Sequence, residues 1–137
     1  MSKIHFDRLA ASAIKDTPRR RAIISFFEKS TGAKDPETVW EHLKTKFRRC
    51  GLPGVYRNLE QMVNAGILVR VQREGRKRYY GLCPGCGHMH HHHIVCVKCG
   101  KIGEMPECTL FKGRTLGGFK IVDHFIQLSG ICPECGK

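Results

Sequence analysis

The chemistry available to this sequence lies mainly in its cysteines and histidines. Of eight Cys and eight His, seven Cys and six His follow Leu82. Three Cys-x-x-Cys-Gly units, here called knuckles, begin at Cys83, Cys96 and Cys132. A knuckle directs two thiolates to one point, and two knuckles supply the four sulfur ligands of a tetrahedral zinc site. The sequence therefore predicts at least one four-cysteine zinc site.

The spacing favours one pairing of the knuckles over the others. The segment between the second and third knuckles is long enough for a helix and a strand, whereas only nine residues separate the first from the second. A single knuckle is also compatible with a redox-active pair, and disulfides are less expected in a reducing compartment. The predicted structural zinc ligands are Cys96, Cys99, Cys132 and Cys135.

A histidine run precedes the second knuckle, at His88 and at 90–93. Side chains alternate between the two faces of a strand, so His91 and His93 would face one side, and His90 and His92 the other. One strand could then serve two metal sites, while a solvated polar strand is the alternative. The remaining candidate ligands are Glu104, Glu107, Cys108 and His124. His124 falls within residues 119–128, which are predicted to form one strand leading into the third knuckle.

These ligands do not form the pattern of a zinc enzyme. A zinc deaminase needs a His-x-Glu motif together with Pro-Cys-x-x-Cys, and a zinc hydrolase needs a general base beside an open coordination position. The sequence has no His-x-Glu, and no carboxylate lies within the histidine run. We therefore expect a protein that is not an enzyme and that binds no small organic substrate.

Positive charge is concentrated in the other part of the chain. Residues 1–82 contain 18 Lys and Arg against 8 Asp and Glu, whereas residues 83–137 contain 6 against 4. This asymmetry excludes a uniformly basic, ribosomal-type chain. The 41% hydrophobic content excludes a disordered tail, and no apolar run approaches the roughly 20 residues of a membrane span. We expect a cytoplasmic protein that binds a polyanion and no membrane.

The elements of residues 1–82 predict a winged helix. An amphipathic helix falls within residues 1–14. Thr17-Pro18 and Asp35-Pro36 each mark the start of a further helix, and the helix that begins at Asp35-Pro36 is predicted to end at Gly51. A further helix over 53–65 precedes strands over 67–73 and 78–82. In such a fold the last helix enters the major groove and the hairpin contacts phosphates. The alternative is a helical domain with a solvated basic surface.

The chain resembles the ferric uptake regulator (Fur) family of metal-dependent repressors over nearly its full length. Each motif alone is weak evidence for the family, but all of them together in this order are specific to it. The motifs are Lys15-x-Thr17-x-x-Arg20, Val55-Tyr56-Arg57-Asn58-Leu59 with Gly66-Ile67-Leu68, the histidine run before Cys96-x-x-Cys99-Gly100, and Gly118-Phe119 through His124 to Cys132-x-x-Cys135.

The resemblance implies an α+β fold and a homodimer on a double-stranded, palindromic DNA operator. Residues 1–82 would form a winged helix-turn-helix DNA-binding domain, 83–90 a hinge, and 91–137 a small α/β dimerisation and metal-binding domain. By resemblance, Lys15 reaches the minor groove, and Tyr56 and Arg57 read bases. Arg20 and Arg76 complete the predicted DNA-binding set. Pro53-Gly54 departs from the family pattern, which puts operator preference in question.

The resemblance also implies a regulatory metal in the hinge, and it is strongest to zinc-sensing members. The ligands carried over are Cys86, His91 and His93, with Glu74 as the acidic ligand and Cys83 as a competitor. A further site would use His90, His92, His124 and Glu107.

A thiolate ligand favours zinc over Fe²⁺ as the regulatory ion, beside the structural zinc. We therefore expect a zinc-responsive repressor. The alternatives are an iron sensor, a peroxide or thiol redox sensor that uses Cys83 and Cys86, and a zinc-ribbon protein that binds nucleic acid without sensing a metal.

Overall fold

The computed structural model describes residues 2–73, 75, 77–84, 92–105 and 113–137. No helix among them is long and apolar enough to cross a membrane. The helices are α1 (Ser2–Ala11), α2 (Pro18–Lys29), α3 (Pro36–Leu43) and α4 (Leu52–Asn64). The strands are β1 (Leu68–Val71), β2 (Tyr79–Leu82), β3 (His92–Cys96), β4 (Ile102–Met105), β5 (Thr115–Leu116), β6 (Phe119–Lys120) and β7 (Gln127–Gly130).

Helices α2 and α3 begin where their capping residues predict. The Thr17 hydroxyl accepts a hydrogen bond from the Arg20 N–H at 3.2 Å, and the Asp35 carboxylate accepts one from the Thr38 N–H at 3.1 Å. A proline follows each cap at the start of the helix. Each cap satisfies a backbone donor that has no partner within the first helical turn.

Helix α3 is shorter than the sequence predicts, because it ends at Leu43 and not near Gly51. The N–H of Phe47 donates to the Leu43 carbonyl at 3.0 Å within a turn that follows the helix. This turn returns the Phe47 ring to the core, and the Trp40 indole N–H then donates to the Cys50 carbonyl at 2.8 Å. The apolar residues that predicted a longer helix do pack in the core, but Phe47 reaches it through this turn and not through a continued helix.

The four helices enclose one apolar core against the β1–β2 hairpin, here called the wing. The strands of the wing are antiparallel, with Leu68 opposite Leu82 and Val71 opposite Tyr79. Lys34 forms an additional bridge to Tyr80. The core residues are Leu9, Ile23, Ile24, Phe27, Val39, Leu43, Val55, Leu59, Met62, Ile67, Leu68 and Tyr80.

A three-stranded sheet with the order β4-β3-β7 organises the later residues. Strand β3 pairs antiparallel with β4 and parallel with β7. The sequence predicts one strand from Phe119 to Leu128, and this is wrong. Phe119 and Lys120 pair with β5 in a hairpin, and β7 starts only at Gln127, because one straight strand cannot reach both partners. After Leu82 the described residues contribute strands and no helix, and 106–112 lie outside them.

The two parts of the chain touch through backbone, amide and apolar contacts. The Ala33 N–H donates to the Gly100 carbonyl at 3.0 Å. The Gln127 side chain accepts from the Gln72 N–H at 3.0 Å and donates to the Gln72 carbonyl at 2.8 Å. Ala33, Val71 and Val95 are buried together beside these hydrogen bonds. The wing is therefore joined to the sheet by direct protein contacts.

Candidate metal centres and nucleic-acid interface

The second and third knuckles bring four sulfur atoms together. The Sγ atoms of Cys96, Cys99, Cys132 and Cys135 all lie within 4.8 Å of one another. The Sγ atoms of Cys99 and Cys132 are 3.7 Å apart. Zn–S bonds of about 2.3 Å place the sulfurs of a regular tetrahedron about 3.8 Å apart, so this four-cysteine cluster has the spacing and the donor type to hold zinc.

Local backbone geometry produces the cluster. The Gly100 N–H donates to the Cys96 carbonyl at 2.9 Å, and the Gly136 N–H donates to the Cys132 carbonyl at 2.9 Å, so each knuckle is a closed turn. Gly100 has a φ of +78°, which favours glycine. Strand β3 supplies Cys96 at its last residue, and the third knuckle follows β7, its parallel neighbour.

The electrostatics of the cluster suit a cation. Backbone N–H groups of Cys99 and Cys132 lower the pKa of the Cys96 thiol to about 6. The neighbouring Cys132 and Cys99 sulfurs raise the pKa of Cys135 to about 12, because a further negative charge is unfavourable beside them. A divalent cation would relieve this repulsion and favour the thiolate form of all four sulfurs.

Consecutive histidines of β3 have partners on different elements. The Nε2 atoms of His92 and His124 are 3.0 Å apart, and His92 is buried. The Nε2 of His93 lies 3.6 Å from the Sγ of Cys83, which is 3% exposed. The strand thus presents one imidazole to the segment before β7 and the next to the end of the wing.

Several predicted ligands lie outside the described residues. These are Glu74, Cys86, His90, His91 and Glu107. Of the predicted hinge set, the structure describes Cys83 and His93, and it brings them together. Of the predicted additional set, it describes His92 and His124, and it also brings these together. The resemblance ranks Cys86 above Cys83, and because Cys86 lies outside the described residues, this ranking stays a prediction.

The predicted DNA-reading residues that the structure describes lie near the start of α2 and on α4. Arg57 is exposed on α4, and Lys15 is exposed before α2. The Tyr56 hydroxyl donates to the Glu37 carboxylate at 3.4 Å, and burial, with Glu37, raises the pKa of Tyr56. Arg76 lies outside the described residues. Exposed cations on a helix of this kind are suited to contact phosphates.

Arg20 is engaged within the protein. Its Nε donates to Asn58 at 3.1 Å, its Nη1 donates to the Lys15 carbonyl at 2.6 Å, and its Nη2 donates to Gln61. Both amides belong to α4. Arg20 therefore fixes α4 and the Lys15 backbone relative to each other.

Glu60 connects α4 to the wing, and the sequence reasoning missed it. Its carboxylate accepts from Arg70 Nε at 3.0 and 3.1 Å and from the Tyr80 hydroxyl, and the Arg70 hydrogen bond lowers the pKa of Glu60. Burial, together with Glu60, raises the pKa of Tyr80 to about 12. An acidic residue on a helix that is predicted to read DNA is the signal that could have identified this contact.

The sequence over residues 11–129 matches the model of the ferric uptake regulator family. The chain belongs to this family. The Fur family consists of metal-dependent, DNA-binding transcriptional repressors, and the mixed helix and sheet architecture agrees with that membership. The chain is accordingly a metal-responsive transcriptional regulator.

Individual Fur proteins are similar to this chain over most of its length. The ferric uptake regulation protein of Neisseria gonorrhoeae is 36% identical over 133 residues, covering 93% of this chain and 90% of the relative. The ferric uptake regulator of Francisella tularensis, solved with iron, has a TM-score of 0.52, 28% identity, and coverages of 91% and 96%. The Pseudomonas aeruginosa regulator, solved with manganese, has a TM-score of 0.57, 25% identity, and coverages of 94% and 98%.

Proposed function

We propose that this Fur protein is a zinc-sensing repressor whose hinge site combines thiolate and imidazole ligands. The observation that carries the proposal is the 3.6 Å separation between the Cys83 Sγ and the His93 Nε2. A sulfur ligand shifts selectivity towards zinc and away from Fe²⁺, whereas a site of nitrogen and oxygen ligands accepts either ion. Glu74, Cys86 and His91 are the further ligands proposed for this hinge site.

The second candidate function is iron sensing. His92 and His124 face each other with no sulfur in the pair, and imidazole is a good ligand for Fe²⁺ as well as for zinc. In this candidate the additional site, completed by His90 and Glu107, would carry the signal. The four-cysteine cluster is proposed to hold structural zinc in either case.

In this proposal the protein is a cytoplasmic homodimer that represses transcription by binding a palindromic operator, and it is not an enzyme. Two copies of α4 would enter successive major grooves, with Tyr56 and Arg57 at bases. Lys15 would enter the minor groove and Arg76 would contact phosphates. Metal in the hinge would favour the arrangement that fits DNA, and DNA would favour metal binding to the same extent.

The proposal is tested by zinc- and iron-dependent DNA binding. The probe is a duplex selected by the zinc-loaded protein from a random library, titrated at fixed free zinc or free Fe²⁺. We expect zinc to strengthen DNA binding. We expect Cys83→Ser to raise the free zinc concentration needed for half-maximal DNA binding by more than about 10- to 100-fold, which is the typical effect of losing a residue that only orients a metal ligand. Cys50→Ser is the matched control, because Cys50 lies outside both sites. Activation by Fe²⁺ alone would instead support the iron sensor.

Exposed apolar residues between positions 116 and 131 support the proposed dimer. Single exposed apolar residues are ordinary, but a group of them marks an interaction surface. Its members are Leu116, Phe119, Val122, Phe125, Leu128 and Ile131. We expect Phe119→Glu to convert the dimer into a monomer with little loss of folding, since Phe119 is 79% exposed. Sedimentation velocity measures this, with Ile4→Glu on α1 as control, and a dimer that survives Phe119→Glu would contradict the prediction.

A further inference from the structure

The first helix holds the backbone of the hinge thiol. On α1, the Nε2 of His5 lies 3.2 Å from the Cys83 carbonyl oxygen, and Arg8 Nη1 donates to the same oxygen at 3.0 Å. Residues three apart share one face of a helix, which explains why both reach one acceptor. The His5 Nδ1 also lies 3.3 Å from the Glu28 carboxylate. The Cys83 N–H donates to the Ile67 carbonyl at 3.0 Å, so the Cys83 backbone is held through both polar groups.

Arg8 brings a cation to this buried position. Its Nη2 is buried and has no hydrogen-bond partner among the described residues, although its Nη1 is bonded to Cys83. A buried charged donor without an acceptor is costly, and a negative charge nearby reduces that cost. When Cys83 binds a divalent metal, its thiol proton passes to solvent and a thiolate forms. The role of Arg8 rests on this geometry, because its Nη1 fixes the Cys83 carbonyl from the side of α1.

The same helix leads to the DNA-reading surface. α1 ends at Ala11, and residues 12–17 connect it to α2. Within this connection the Lys15 carbonyl is held by Arg20 Nη1, whose guanidinium also binds Asn58 and Gln61 of α4. A continuous set of hydrogen bonds and one helix thus join Cys83 to Lys15 and α4.

We propose that α1 is the element that couples the hinge thiol to DNA, with Arg8 and His5 as positioning residues for Cys83. This rests on the proposed function, in which Cys83 is a ligand. Partners of this kind orient a ligand without touching the metal, and their loss typically reduces metal affinity about 10- to 100-fold. Displacement of α1 would also change the position of Lys15 relative to α4.

Cobalt(II) is the probe for the positioning role, because a thiolate bound to Co²⁺ gives a charge-transfer absorption that nitrogen and oxygen ligands do not give. Protein with zinc in the four-cysteine cluster is titrated with Co²⁺. We expect Arg8→Met to weaken Co²⁺ binding about 10- to 100-fold and to reduce that absorption at saturation, and Arg8→Lys to restore much of both. The matched control is Arg19→Met, whose guanidinium donates to the Arg49 carbonyl instead.

The coupling is measured as the ratio of affinities for the selected duplex with and without Co²⁺. We expect this ratio to fall in Arg8→Met and to stay unchanged in Arg19→Met. If Arg8→Met does not fold by circular dichroism, His5→Leu takes its place with the same expected direction. Normal Co²⁺ affinity, absorption and coupling in the folded variant would overturn the inference.

The wild-type protein and Cys83→Ser separate this inference from the function on which it rests. If the wild-type protein shows no thiolate-to-cobalt absorption, or Cys83→Ser leaves that absorption unchanged, the proposed hinge site is wrong. If both behave as proposed while Arg8→Met matches the wild-type protein, only the role of α1 is wrong.

Discussion

Cys135→Ser is expected to abolish binding of the zinc proposed for the four-cysteine cluster and to unfold the β4-β3-β7 sheet. The cluster joins β3, through Cys96, to the segment after β7, and Cys135 lies two residues from the end of the chain. Structural zinc contributes about 10–16 kcal/mol of apparent binding free energy, whereas a whole domain is stable by only about 5–15 kcal/mol. A three-sulfur cluster therefore cannot maintain this sheet.

The helices should survive this substitution, because the core that α1–α4 form with the wing contains none of the four cysteines. Native mass spectrometry counts the metal, and hydrogen exchange follows the β3 amides. We expect loss of one zinc and loss of protection in β3, with helical circular dichroism retained. Cys50→Ser should keep both the zinc and the protection. A Cys135→Ser protein that retained them would show that three sulfurs are sufficient.

Gly32→Ala is expected to separate the winged helix from the second knuckle. A Cβ at Gly32 would lie 2.4 Å from the Cys99 carbonyl oxygen and 2.7 Å from the Gly100 carbonyl carbon, which are backbone atoms that cannot swing away. Gly32 also has a φ of +76°. The left-handed backbone costs a non-glycine residue about 1–2 kcal/mol. Loss of the Ala33–Gly100 hydrogen bond costs about 1 kcal/mol more.

Gly75→Ala is the matched control for Gly32→Ala. Gly75 has a φ of +93°, but a Cβ there meets nothing within 4 Å. The positive φ should therefore lower the free energy of unfolding of both variants. The clash with the second knuckle should lower that of Gly32→Ala further. Denaturant unfolding measures the difference, and exchange of the Ala33 amide reports the separation. Equal losses in the two variants would mean that the close approach to the knuckle contributes nothing.

Features of the fold that depend on neighbouring residues could be predicted from the sequence. Thr17 and Asp35 cap their helices with groups three residues away, so a short stretch of sequence contains the whole interaction. The same holds for the turns of the knuckles. The predicted extent of α3 was wrong, because the turn that follows Leu43 depends on where Phe47 packs, and packing is not a local property.

The candidate site was less predictable where it depends on residues far apart in the sequence. The contacts of His5 and Arg8 with Cys83 span 78 and 75 residues, and no spacing or composition signals them. Alternation along β3 did separate the partners of His92 and His93, because a strand has a period of two wherever it lies.

Zinc bound in the four-cysteine cluster would fix the register of β3 against its neighbouring strands, because Cys96 belongs to both. His92 and His93 carry the same side chain on opposite faces of β3, so a slip of one residue would turn each of them to the other face of the sheet. Cys96 ends the same strand and is held in its knuckle by the Gly100 N–H. A zinc ion in the four-cysteine cluster would thereby fix which imidazole of β3 faces His124 and which faces Cys83, and deletion of Ile94 would move His92 into the place of His93.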